Sequence, residues 1–129
     1  MLNIAICDDS TEDLSYLKSL IEDYKNLHTN QHTIQYDIFE NAMDLIDEIG
    51  NGQHYDLVIL DIIMPLMTGM DAAREIRQFD QNVKIIFSTS SPEFAVESYT
   101  VNAYYYYLKP LCKEKLFPLL NKIISEIQT

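Results

Sequence analysis

The stretch Leu57-Val58-Ile59-Leu60, followed at once by Asp61, decides the fold. Four consecutive aliphatics without polar alternation read as a central strand of a parallel sheet, covered by helices on both faces. On its N-terminal side, Asn3-Ile4-Ala5-Ile6-Cys7 is a similar short run that ends in Asp8-Asp9. Ser10 or Thr11 can cap the stretch that follows, in which Leu14, Leu17, Leu20, Ile21 and Tyr24 recur at helical spacing up to the polar loop His28 to His32. Thr33 to Phe39 alternates weakly as a second strand. Ala42, Leu45, Ile46 and Ile49 then give a helical stripe closed by Gly50-Asn51-Gly52.

Beyond Asp61, Pro65 and Gly69 lead into a helix over Met70 to Arg77, with Thr68 as its cap and Asp71 three residues on to answer it. Val83 to Phe87 is a fourth strand ending near Thr89, and Ser91-Pro92-Glu93 reads as a fourth helix start. Tyr104 to Leu108, then Lys109-Pro110, then a helix to Ile127 complete the pattern, with Pro118 requiring a late start or a kink. Five strands alternating with five helices over short connections indicate one doubly wound α/β domain.

The 129 residues suffice for one core without disulfide staples, and the two cysteines imply no disulfide framework, so a reducing, cytoplasmic setting is expected. No apolar run approaches ~18 residues and no signal sequence precedes the first strand, so no membrane partner is expected. A net charge of -11 would repel a nucleic-acid backbone, which excludes direct nucleic-acid binding as an expectation. Most of that acidity is a solvated surface.

In an open parallel sheet the carboxyl ends of the strands share one crevice, so Asp8, Asp9, Asp61, Thr89 and Lys109 are expected to converge there. Three carboxylates suit a hard divalent cation, Mg2+ rather than zinc, because the histidines and cysteines lack ligand spacing. Taken singly, each residue has an ordinary reading. Asp8-Asp9 serves as turn and cap, Thr89 is a common strand-end residue, and Lys109 is by default a surface lysine. Asp61 is harder to dismiss, because a carboxylate beside buried aliphatics needs a cation or hydrogen bonds. A cis Lys109-Pro110 bond would aim the lysine back into the crevice.

Asp8-Asp9, Asp61-Ile62-Ile63-Met64-Pro65, Gly69, Thr89, Tyr106 and Lys109-Pro110 together resemble the receiver domain of two-component response regulators, over essentially the whole chain. The resemblance implies a flavodoxin-like (βα)5 domain with strand order 2-1-3-4-5, acting as a regulatory switch and not as an enzyme. It implies that Asp61 accepts a phosphoryl group from a sensor histidine kinase. It further implies that Asp9, Asp61 and the backbone carbonyl of Ile63 hold Mg2+, with Asp8 acting through water, and that Lys109 and Thr89 contact the phosphoryl oxygens. Tyr106 would move inward as Thr89 turns. In the run Tyr104-Tyr105-Tyr106-Tyr107, strand alternation puts Tyr104 and Tyr106 on one face and sends Tyr105 and Tyr107 against helices.

Residues 91–95, 97–99 and 101–103 resemble the receivers joined to a LytTR-type DNA-binding domain. Asn102 stands where that family often has glycine, which suits a positive φ. Ser90 stands where it often has alanine, so its hydroxyl bears on phosphate lifetime. Within residues 1–129 a single receiver domain is expected, with the effector domain downstream and absent from this chain, or else a stand-alone receiver that docks to a partner. The family also implies a homodimer through the fourth-helix, fifth-strand, fifth-helix face. Two other classes fit less well. An aspartyl phosphatase wants an acid where Ile63 stands, and a nucleotide or flavin module wants a glycine-rich loop, whereas this chain has 3 glycines in all. Cys7 is expected to pack as a small hydrophobe, and Cys112, His28, His32 and His54 receive no role.

Overall fold

The computed structural model describes residues 1–28 and 33–128. His32 and Thr129 lie outside the described residues. The elements run β1 (Leu2–Cys7), α1 (Thr11–Leu27), β2 (Ile34–Phe39), α2 (Ala42–Gly50), β3 (Leu57–Leu60), α3 (Gly69–Phe79), β4 (Lys84–Thr89), a 3-10 segment (Glu97–Val101), β5 (Tyr105–Leu108) and α4 (Lys113–Gln128). All five strands are parallel, in the order β2-β1-β3-β4-β5. The 57–60 run is the central strand, and all four of its side chains are buried.

Alternation along β3 splits the core into two layers. Leu57 and Ile59 join Ile4, Ile6 and Ile86 beneath α1 and α4, while Val58 and Leu60 join Ala5, Cys7, Ile85 and Phe87 beneath α2 and α3. Each fully buried aliphatic contributes roughly 1.5–3 kcal/mol of transfer free energy. A one-residue slip of β3 would exchange the two layers, so burial on both faces pins the register.

The caps follow the local chemistry. Ser10, not Thr11, caps α1 by accepting the Asp13 amide, Asn41 caps α2, and Thr68 with Asp71 forms a reciprocal box at α3. α4 begins at Lys113 and runs through Pro118 rather than starting after it. The amide that Pro118 lacks would have bonded the Glu114 carbonyl. Both residues are exposed, so the carbonyl left without that bond lies on the solvent side of the helix.

Two local expectations are corrected. The segment after Ser91-Pro92-Glu93 is turn and 3-10 structure, not an α-helix, so the described residues form four α-helices. The Ser98 amide bonds four residues back to Phe94 at 2.9 Å, but Tyr99 and Asn102 bond three back, to Val96 at 3.2 Å and Tyr99 at 3.1 Å. The Ser98 and Thr100 hydroxyls also bond the carbonyls three residues back, of Ala95 and Glu97, which favours the tighter turn. Asn102 ends the segment at φ 52°, the left-handed region that its resemblance to a glycine position implied.

Tyr104 does not share a face with Tyr106. Tyr104 and Tyr107 pack on the α1/α4 layer and Tyr106 on the other, while Tyr105 is half exposed and stacks on Tyr107 at 5.0 Å. Strand alternation governs only residues within the pleat, and Tyr104 precedes β5. Its ring is approached instead by the ammoniums of Lys84 and Lys122, 5.3 and 5.6 Å from its centroid.

Arg77 joins α3 to the 3-10 segment. Its Nε donates to the Val101 carbonyl at 2.8 Å, Nη1 to Val83 at 2.7 Å and Asp80 at 3.3 Å, and Nη2 to Asn102 at 3.0 Å. Burial lowers its pKa from the ordinary arginine value, partly offset by Asp80. Arg77→Met is expected to cost about 2–3 kcal/mol in urea unfolding, because it strips charged donors from four carbonyls at once.

Candidate functional site

The strand ladder extends one residue past the strands and carries the acids with it. The Asp8 amide donates to Phe39 at 3.1 Å, the Asp61 amide to Cys7 at 3.0 Å and the Lys109 amide to Thr89 at 2.9 Å. These bonds set three side chains from distant parts of the chain over the same end of the sheet. One carboxylate oxygen each from Asp8, Asp9 and Asp61 lies within 4.8 Å of the others. The Lys109-Pro110 peptide is cis, and Lys109 Nζ reaches Asp8 Oδ2 at 2.8 Å and Asp61 Oδ2 at 3.4 Å.

The two buried acids are held by the backbone. Asp8 is 1% exposed, and its Oδ1 accepts the Ser10 amide at 2.9 Å; Asp61 is 6% exposed, and its Oδ1 accepts the Ile62 amide at 2.8 Å. Asp9 is exposed, at the mouth of the cluster. Gly69 makes the approach of α3 to Asp61 possible. Its amide donates to the Ile62 carbonyl at 2.8 Å, and a Cβ at this position would lie 2.0 Å from the Asp61 carbonyl oxygen.

Thr89 is fully buried at the end of β4, and its Oγ1 accepts the Ser91 amide at 3.3 Å. The Tyr106 hydroxyl donates to the Ser91 carbonyl. One residue, Ser91, thus ties the two side chains together. Its backbone is engaged on both sides. Ile63 is half exposed in the loop after Asp61, and Ser90 is exposed.

Electrostatics follow from burial. Desolvation raises the Asp8 carboxyl above its ordinary value, against the opposing pull of Lys109 and the Ser10 amide. Burial alone would lower Lys109, but its bonds to Asp13 and Asp8 outweigh that and hold its pKa above the ordinary lysine value. Burial, then the neighbouring Asp8 and Asp61, push the Cys7 thiol up to about 12, so it packs as a neutral hydrophobe beside Met64.

For Asp8 the raised pKa fixes the sign of a pH effect. Between the ordinary aspartate value and the raised one, the folded chain binds more protons than the unfolded chain, so stability falls as pH rises through that window. With chelator present, Asp8→Asn is therefore expected to be more stable than the parent at pH 7, by about 1 kcal/mol. Urea midpoints at pH 7 and pH 4 should show the advantage shrinking in acid.

Sequence reasoning missed Asp13. Its Oδ2 lies 2.7 Å from Lys109 Nζ, nearer than either strand-end carboxylate. Three residues past the Ser10 cap, it is indistinguishable in sequence from an acid placed for the helix dipole. His28 stacks on Tyr24 at 4.2 Å at the end of α1, and His54 lies 3.8 Å from Asp80 at the opposite end of the sheet, so neither joins the cluster. Among the described residues no helix is long and apolar enough to cross a membrane.

Comparison with known proteins agrees with this geometry. The family model described as "Response regulator receiver domain" matches residues 4–121. The sensory transduction protein LytR of Staphylococcus epidermidis is 34% identical over 119 residues, covering 83% of this chain and 46% of the relative. The positive alginate biosynthesis regulatory protein of Pseudomonas aeruginosa is 32% identical over 124 residues, covering 94% and 46%. The chain thus spans about half the length of these curated relatives. Among solved structures, the response regulatory domain of protein mrkE from Klebsiella pneumoniae superposes with a TM-score of 0.80 at 28% identity, covering 97% of each chain. TrrA of Thermotoga maritima, solved in complex with Mg(2+)-BeF, gives 0.79 at 28% identity, covering 95% of this chain and 99% of its own. The sheet order, the acid cluster with its lysine and the matched length therefore lead to one conclusion: the chain belongs to the response regulator receiver domain family.

Proposed function

We propose that this chain is a phosphorylation-dependent signalling switch whose phosphoacceptor is Asp61. The observation that carries the reading is the gathering of Asp8, Asp9 and Asp61 within 4.8 Å, with the Lys109 ammonium against Asp61. An all-oxygen donor set already neutralised in part by an ammonium fits Mg2+, with Asp8, Asp9, Asp61 and the Ile63 carbonyl as the groups that would hold it. When bound, the ion supplies charge neutralisation at the transferred phosphoryl oxygens.

The chain's own residues do the rest. A carboxylate oxygen of Asp61 forms the new O–P bond as the N–P bond of a histidine kinase's phosphohistidine breaks, and the electron pair returns to the imidazole nitrogen. Burial keeps Asp61 out of bulk water, and its bond from the Ile62 amide fixes its orientation. Lys109 neutralises the added phosphoryl charge. The Thr89 hydroxyl turns to the phosphoryl group, releasing the Ser91 amide, and the Tyr106 hydroxyl bound to Ser91 responds.

The output is proposed to be transcription, through a LytTR-type DNA-binding domain following this receiver in a cytoplasmic protein; the LytR and alginate-regulator similarities support it. The receiver itself, at -11, would not bind nucleic acid directly. A stand-alone receiver that docks to a protein partner, or pairs with a second copy, is the alternative. The gene's reading frame past Thr129 separates the two.

The test of the switch is Mg2+-dependent labelling by a small phosphodonor. One phosphoryl group per chain, removed by Asp61→Asn, is the expected result. Labelling that survives the substitution would sink the proposal.

A further inference from the structure

We infer that Asp13 is a positioning residue for Lys109, a carboxylate outside the acid cluster that draws the ammonium toward the rim of the cation pocket and releases it when a phosphoryl group arrives. The inference rests on the receiver reading and concerns the regulation of that same site.

Lys109 Nζ is shared unequally among three carboxylates. Asp13 Oδ2 is 2.7 Å away, Asp8 Oδ2 2.8 Å and Asp61 Oδ2 3.4 Å, so the phosphoacceptor has the longest of the three contacts. Asp13 differs from the other two in its setting. Asp8 and Asp61 are buried, whereas the Asp13 side chain is 42% exposed in the first turn of α1. Its backbone is anchored, because its amide is taken by the Ser10 hydroxyl at 3.2 Å, and the Ser10 amide is itself bonded to Asp8. The carboxylate is therefore held beside the pocket without belonging to it.

Two consequences have opposite signs. An ammonium lodged between Asp8 and Asp61 competes with any divalent cation for those oxygens, so pulling it toward Asp13 favours the cation, and the extra negative charge acts in the same direction. A phosphoryl group on Asp61, by contrast, must win the same ammonium from Asp13, so Asp13 opposes phosphorylation. A charge-assisted hydrogen bond near the surface is strong enough to shift either equilibrium several-fold, and weak enough for a dianionic phosphoryl group to displace.

The test is Asp13→Asn, which keeps shape and leaves the cluster acids intact, read in two ways. Calorimetric titration with MgCl2 alone is expected to show affinity weakened roughly three- to tenfold. The rate of labelling by phosphoramidate at saturating Mg2+ is expected to rise by a similar factor, roughly three- to tenfold. A variant that merely loosened the fold would lower both. Glu12→Gln, which removes the adjacent charge, serves as the control and is expected to move each constant less than twofold, because an exposed charge is well screened. The inference is overturned if either constant of Asp13→Asn stays within about twofold of the parent or moves the other way, or if Glu12→Gln reproduces the shifts. Absence of labelling in the parent chain would overturn the receiver reading instead, so the two failures are distinct.

Discussion

Asp61→Asn is expected to reduce phosphoryl labelling by at least about 10³-fold, the scale on which loss of a nucleophile is felt, while leaving the domain folded. The two effects separate because of how Asp61 is held. Its Oδ1 accepts the Ile62 amide at 2.8 Å, and the amide oxygen of asparagine can accept that same bond. An amide oxygen has no full negative charge with which to attack phosphorus, however, and its nitrogen presents protons toward Lys109 where Oδ2 now lies at 3.4 Å. Lys109 keeps Asp8 and Asp13 as partners, so the substitution strands no buried cation. One buried carboxylate fewer beside Asp8 also relieves like-charge repulsion. Unfolding free energy should therefore stay within about 1 kcal/mol of the parent or rise. Mass spectrometry after exposure to acetyl phosphate and Mg2+, paired with urea unfolding of the same samples, reads both.

The second large effect is structural. Gly69→Ala is expected to destabilise the domain by about 3 kcal/mol or more, at the upper end for overpacking, because the added Cβ has nowhere to go. It would meet the Asp61 carbonyl oxygen at 2.0 Å, the Asp61 carbonyl carbon at 2.8 Å and the Ile62 Cα at 2.8 Å. All three are backbone atoms in the segment that aims the Asp61 side chain, so no side chain can swing aside. Relief requires α3 to retreat, which breaks the 2.8 Å bond from the Gly69 amide to Ile62. Any folded fraction should bind Mg2+ less tightly, since the shift is transmitted directly to Asp61. Gly50→Ala is the control: its Cβ would meet only the Phe79 ring edge at 3.7 Å, an ordinary contact in the last turn of α2. That change is expected to be neutral or to stabilise by up to about 1 kcal/mol. Urea midpoints of the two alanine variants would show the contrast.

The two large effects differ in how visible they were beforehand. Asp61 stood out because a carboxylate after four buried aliphatics conflicts with its surroundings unless it has a task. Gly69 was one residue of a family pattern, and the reason for it, a helix start pressed on the Asp61 backbone, lies between segments that no local rule connects. Asp13 is the extreme case. In sequence it is a helix-start acid like many others, and its bond to Lys109 spans 96 positions.

Local chemistry was enough for the caps of α1 and α3, for the covered strand β3 and for the set of residues at the strand ends, since each depends on side-chain periodicity or on neighbours a few positions away. It misled at Ser91, where a cap-proline-acid signature leads into turn and 3-10 structure and the Ser91 amide and carbonyl bond Thr89 and Tyr106. It misled again at Tyr104, placed by its cationic neighbours and not by the pleat.

What the sequence by itself determined is the alternation of strands and helices and the identity of the residues that end each strand, because burial period and turn chemistry are written in consecutive positions. Only the tertiary structure decided which carboxylates surround Lys109, which tyrosine meets Ser91 and how closely α3 presses on Asp61. Those outcomes are settled by distances of a few ångströms between groups remote in the chain, and electrostatics and sterics act through space, with no regard to position in sequence.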